Sequence, residues 1–169
     1  MGMNAILRAL RLLAMVVWVG GLIFFAFVEA PTAFHVMGTT RQFAQLIGDS
    51  ISELNRLGHV AGFIFLIATA MVWLRARTSV RSLLIAQIVL VVLMIAATMY
   101  VQASILSAME RDRVAAGGDI TAAPASNPAR LDFERLHPLS EKVEGSALFL
   151  GVAVVILMAC EDRTTSIGK

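Results

Sequence analysis

The chain reads as an all-α integral membrane protein, a bundle of four transmembrane helices with an amphipathic interfacial helix between the first and second spans. Three observations carry this reading. Of 169 residues, 58% are hydrophobic and only 15% charged, against about a quarter charged in soluble domains, so there is too little polar surface to coat a water-soluble globule. The apolar residues gather into four runs, about 12–30, 58–75, 83–109 and 139–160, lengths suited to a hydrocarbon core of about 30 Å. The polar residues fall at the ends of those runs and in two long loops, 31–57 and 110–138. A single four-span membrane domain over residues 1–169 is expected.

The first run carries Trp18, the pair Gly20 and Gly21, and Phe24 and Phe25. Its two glycines invite close approach by a neighbouring helix, which matters in lipid because packing rather than hydrophobicity drives association there. Arg8 and Arg11 precede it as in a secretory signal, but the run is longer than a signal core and its small-residue exit, Ala30, is followed by Pro31. A retained span ending at Glu29 and Pro31 is therefore expected. Next, Thr39 and Gln42 fit a capping box, and Phe43, Leu46, Ile47, Ile51 and Leu54 recur at helical spacing opposite Arg41, Asp49, Glu53 and Arg56. That pattern predicts a helix lying at the membrane surface before the chain turns into the second span.

The second span, from Gly58, covers about 26 Å at 1.5 Å per residue, which leaves Asn55 and His59 near the hydrocarbon boundary. Arg75, Arg77 and Arg81 make a tight basic turn into the third span, whose Gln87 and Gln102 read as interhelical glue, worth about 1 kcal/mol each. Residues 110–127, rich in Ala, Gly, Asp and Pro, predict a flexible loop, with His35 likewise placed in a plain turn after Pro31. Asn127 followed by Pro128 is a helix start, and Pro138 should kink that helix beside His137. Ala147 and Gly151 form a small-xxx-small pair for packing, and the nine methionines are scattered as core fillers.

Topology follows from the basic residues. The seven Lys or Arg on each side tie, but those of the N-terminus, the short basic turn and the C-terminus occupy far fewer residues. Short loops count most, so both termini are expected in the cytoplasm, with a bacterial inner membrane the expected location. The net charge of +2 has no basic run behind it and gives no case for nucleic acid. The lone Cys160 excludes a disulfide within the chain and a cysteine-based zinc site.

Three segments, WVGGLIFFAFVEAP at 18–31, NRLGHVAG at 55–62 and FERLHPLSEKVEG at 133–145, resemble the transmembrane-protein-205-like family. Its bacterial members are known as domain of unknown function 4149. The resemblance covers nearly the whole chain, with the motifs in order. It implies four membrane helices and no established enzymatic activity. Glu29 and Glu144 stand where that pattern carries a neutral residue or Asn, which makes this chain's outer end more acidic.

At that outer end, His137, Ser140, Glu141 and Glu144 share one helical stripe. Glu29, His59, Gln102, His137, Glu141 and Glu144 reach comparable depth from four helices. His59 and His137 could hold a haem iron axially, and with Glu29, Glu141 and Glu144 they could bind a transition metal. The bland alternative is that interfacial water and backbone carbonyls satisfy them. No nucleophile–base pair, phosphate loop or dinucleotide fingerprint occurs, so the balance leans away from an enzyme. Three functions remain: a non-enzymatic membrane module of unknown ligand, in its sharp form a metal or haem binder; an accessory or structural subunit of a homo-oligomer or larger complex; and, weakest, a small transport or efflux element.

Overall fold

The computed structural model describes residues 3–38, 40–76 and 78–167, and the described residues form helices and turns. In chain order these are α1 (Met3–Phe24), a π-turn (Phe25–Glu29), α2 (Ala30–Met37), α3 (Arg41–Arg75), α4 (Thr78–Tyr100), a second π-turn (Val101–Leu106), α5 (Ser107–Ala115) and α6 (Pro128–Ile167). Four stretches are long and apolar enough to cross a membrane: Ala5–Met37, Arg41–Arg75, Val80–Ala115 and Pro128–Glu161. The protein is thus an all-α membrane protein with four candidate spans.

Pro31 does not end the first helix. The widened turn ahead of it, closed by the Ala30 N–H to the Phe25 carbonyl, lies where a proline ring would otherwise crowd a regular turn. The helix runs on to Met37 and stops at Gly38, whose φ of 60° suits a residue without Cβ. His35 therefore sits exposed on α2 and not in a turn.

The interfacial helix is not found as a separate element. Residues Arg41–Arg75 form one unbroken α-helix, about 52 Å long at 1.5 Å per residue, well beyond an apolar core of about 30 Å. The amphipathic stretch is its extension past the span. Its cap is Thr40, whose hydroxyl accepts from the Phe43 N–H at 3.2 Å; Thr39 lies outside the described residues. Phe43 meets Phe34 edge to face at 5.7 Å, tying α2 to α3. In the basic turn, Arg81 lies over the Trp73 ring at 5.3 Å and donates to the Ala76 carbonyl, and Arg77 lies outside the described residues.

The third rod likewise extends through α5, and the segment after it is built rather than featureless. Asp119 accepts from the Thr121 hydroxyl at 2.7 Å and from the Thr121 and Ala122 amides at 2.9 and 3.3 Å. Arg130 clamps this loop onto α6 by donating to the Ala123 carbonyl at 2.8 Å. As expected, Asn127 caps α6, its side chain accepting from the Ala129 N–H at 2.9 Å, with Pro128 in the first turn. Pro138 lies inside α6 without interrupting it.

Packing closes the rods into a square: α1 lies on α3, α3 on α4, α4 on α6 and α6 on α1. Trp18, fully buried, fills a groove floored by Gly58 and Gly62 of α3; a methyl built on Gly62 would lie 2.7 Å from the indole. Gly151 gives Val19 and Met94 the same access, whereas Gly20 faces open space. Of the first-span pair, Gly21 makes the expected close approach, against Leu54 of α3, and Gly20 does not. The main core joins Trp18, Phe65, Val91, Met94 and Val154, and a second joins Val101, Ile105 and Met109 to Phe133, Leu136 and Val143. This second core lies toward the end remote from the chain termini, here called distal.

Candidate functional site

Charge and hydrogen-bonding capacity are concentrated in two layers, one at each end of the main core. The distal layer contains three of the expected residues, His59, Gln102 and Glu144. Along one face of α3, Ser52, Asn55 and His59 are spaced three and four apart, so they stack on successive turns. Each meets a partner from another helix. Gln102 Nε2 donates to Ser52 Oγ at 3.3 Å, Asn55 Nδ2 donates to Glu144 Oε1 at 2.8 Å, and His59 Nε2 lies 2.9 Å from Thr98 Oγ1. The same Thr98 hydroxyl lies 2.9 Å from the Met94 carbonyl, which it reaches as donor when the His59 imidazole presents its N–H to it. Trp18 holds the same imidazole edge-on at 6.5 Å.

This ladder sits where the main core ends and the distal core begins. Gln102 belongs to a π-turn, a local widening often found at functional sites. Its own carbonyl accepts from Ser107 Oγ at 3.1 Å. Three oxygens of the layer are shut off from solvent and receive no hydrogen bond: Asn55 Oδ1, Gln102 Oε1 and Glu144 Oε2. Buried acceptors without donors are uncommon and each asks for an explanation.

The remaining expected ligands do not join that layer. His137 is exposed, stacks on Phe133 at 6.1 Å and pairs with Glu141 on its own helix at 3.3 Å. Glu29 lies half-buried in the first π-turn. Of Glu29, His59, His137, Glu141 and Glu144, only His137 and Glu141 touch one another through hydrogen-bonding or charged groups. Among the described residues no three His, Cys, Asp or Glu side chains are grouped to hold a metal ion. Ser140, from the same stripe, turns back to donate to the His137 carbonyl at 2.7 Å.

Apart from Gln87, the proximal layer escapes the sequence reading. Arg11 of α1, 1% exposed, forms an ion pair with Glu161 of α6 at 2.7 Å and donates to the Gln87 carbonyl oxygen of α4. Gln87 in turn donates to Glu161 at 3.3 Å, and the guanidinium lies 5.5 Å from the Phe65 ring centre on α3. All four rods therefore meet at one charged centre. A cavity of about 320 Å³ between α1 and α6 opens beside it, lined by Arg8, Arg11, Leu12, Val155, Met158 and Glu161 among others. One signal was available: Arg11, Gln87 and Glu161 lie at similar distances from the same ends of their apolar runs.

The family model described as Domain of unknown function (DUF4149) matches residues 13–113, more than half of the chain. No curated protein and no solved structure matches the chain.

Proposed function

The chain belongs to the DUF4149 family, and from that premise we propose that it is a non-enzymatic membrane protein that binds a small polar or cationic ligand in its distal layer. The observation that carries this is the set of three sealed, unpaired oxygens on Asn55, Gln102 and Glu144. An ionisable group set among spans is costly, and a functional reason for it is the fair default. His59, whose imidazole lies in the ladder against Thr98, supplies a second kind of ligand atom.

Haem or a transition metal on His59 and His137 is the sharper version drawn from the sequence. His137 is engaged at the surface with Glu141 and Phe133, which favours a smaller ligand held nearer Glu144. The finer kinship, to the transmembrane-protein-205-like proteins, rests on the three motifs quoted above. A bacterial inner-membrane location with both termini cytoplasmic rests on the density of basic residues. On that orientation the ladder faces the outer side.

A second reading, as an accessory subunit, has its own support. The fourth span buries only 17% of its most apolar window within the chain, against 28–33% for the other three. That face is covered by lipid or by another polypeptide.

The test is native mass spectrometry of the detergent-purified protein, with an absorbance spectrum and elemental analysis on the same sample. One small ligand per chain, lost in Glu144→Gln, is expected. A bare chain accompanied by a stoichiometric second polypeptide, unchanged in Glu144→Gln, would make the accessory reading the right one.

A further inference from the structure

We propose that Glu144, Asn55 and Gln102 form an oxygen-lined site for a monovalent cation of the sodium class. The proposal deepens the preceding one, since it rests on the distal layer being a ligand site. Asn55 is completely buried, and its orientation is fixed because its Nδ2 donates to Glu144 Oε1 at 2.8 Å. Reversing the amide would set its oxygen against the carboxylate. Asn55 Oδ1 is therefore an acceptor with nothing to accept, and so is Glu144 Oε2.

Gln102 adds a third oxygen from the adjacent rung. It holds Ser52 through Nε2, which leaves Oε1 sealed and unpaired. Ser52 and Asn55 are one turn apart on α3, so their partners Gln102 and Glu144 approach from α4's continuation and α6 at adjoining levels. Three helices thus each bring one sealed, unpaired acceptor to adjoining levels of the ladder.

The chemistry of the set selects the ligand. Carboxylate and amide oxygens suit hard cations, not the softer transition metals that seek thiolate or imidazole. One carboxylate supplies one negative charge, so a singly charged ion leaves the site neutral. Calcium ordinarily takes six to eight oxygens, and magnesium demands a near-octahedral shell and keeps several waters. Either divalent ion would also keep a positive charge that the single carboxylate leaves uncompensated. The second π-turn, which carries Gln102, leaves that residue in a locally widened backbone, where the distance to an ion can adjust.

The experiment uses the full-length protein in detergent, dialysed into choline chloride and then shifted to sodium chloride at constant ionic strength. Thermal midpoint and retention of radioactive sodium are both read. A saturable rise in midpoint with sodium is expected, with about one sodium held per chain. Glu144→Gln should weaken the apparent affinity by at least about tenfold, the loss of one charged ligand. Gln102→Ala, at the edge of the layer, serves as the second variant and should weaken it less. Equal midpoints in sodium and choline with no retained sodium would overturn the proposal, as would stabilisation by calcium alone. If sodium is inert but another small ligand stabilises through Glu144, this inference fails and the binding function stands. If no small ligand acts through Glu144, both fail.

Discussion

Arg11 is held by groups that no single helix could supply. Its charge is opposed by Glu161, its Nη2 also donates to Gln87, and its flat face lies near Phe65. Truncating Glu161 in this buried pair strands the charge of Arg11, a loss of about 3–5 kcal/mol. Glu161→Leu should therefore lower unfolding free energy by about 3 kcal/mol or more, while Arg11→Met with Glu161→Leu should regain much of it, because an apolar pair of similar volume is often tolerated. Denaturant titration in detergent micelles reads both; equal losses in the single and double variants would contradict the pairing. Asp119 offers a pH test at the same scale. The Thr121 hydroxyl, then the Thr121 amide, hold its carboxyl below the ordinary value. A depressed folded-state value means the stabilisation is complete above the unfolded-chain pKa and lost as pH falls through the lower one. Protection of the Thr121 and Ala122 amides against hydrogen exchange, corrected for intrinsic rates, should fall in that acid window, and Asp119→Ala should lack it throughout. Gln87 as interhelical glue was legible from sequence. Arg11 and Glu161 were not, because charges at the ends of apolar runs read first as interfacial anchors.

At the level of elements, α3 determines the most. Its length carries the ladder past the span, and its glycines admit Trp18. Two glycines of α3, Gly58 and Gly48, should respond oppositely to alanine. Gly58 abuts the buried indole within van der Waals contact, so Gly58→Ala overpacks the groove and should cost about 1–3 kcal/mol. Gly48, on the same helix, has nothing within 4 Å of an added methyl, so Gly48→Ala should stabilise by up to about 1 kcal/mol through helix propensity. Thermal midpoints of the two variants measure this directly, and a fall in both would contradict it. The sequence made the helices of the four runs plain because apolar length is a strong signal. It misplaced their ends. Proline at 31 argued for a stop, and a π-turn accommodates it; an amphipathic face argued for a separate surface helix, and α3 simply continues. Local pattern cannot distinguish a helix that turns at the interface from one that projects through it, since both show the same periodicity.

For the molecule as a whole, two apolar cores are separated by the distal ladder and closed at the other end by the Arg11 centre. The gathering of Glu144 and His59 near one level was legible from spacing and span length. Their partners Asn55 and Thr98, and the pairing of Gln102 with Ser52, were not, because which polar residue faces which depends on the rotation of each rod about its axis. The same rotation puts His137 and Glu141 on the surface, away from the buried layer. What remains is a compact polar layer with three sealed oxygens that lack a donor, the site at which we propose a ligand binds. The most direct measurement is the thermal midpoint of wild type and Glu144→Gln side by side, across monovalent and divalent cations, small amines and haem. A ligand that raises the wild-type midpoint by several degrees and leaves Glu144→Gln unmoved is the expected result. Identical responses of the two proteins to every ligand would contradict it, and the layer would then be interhelical glue.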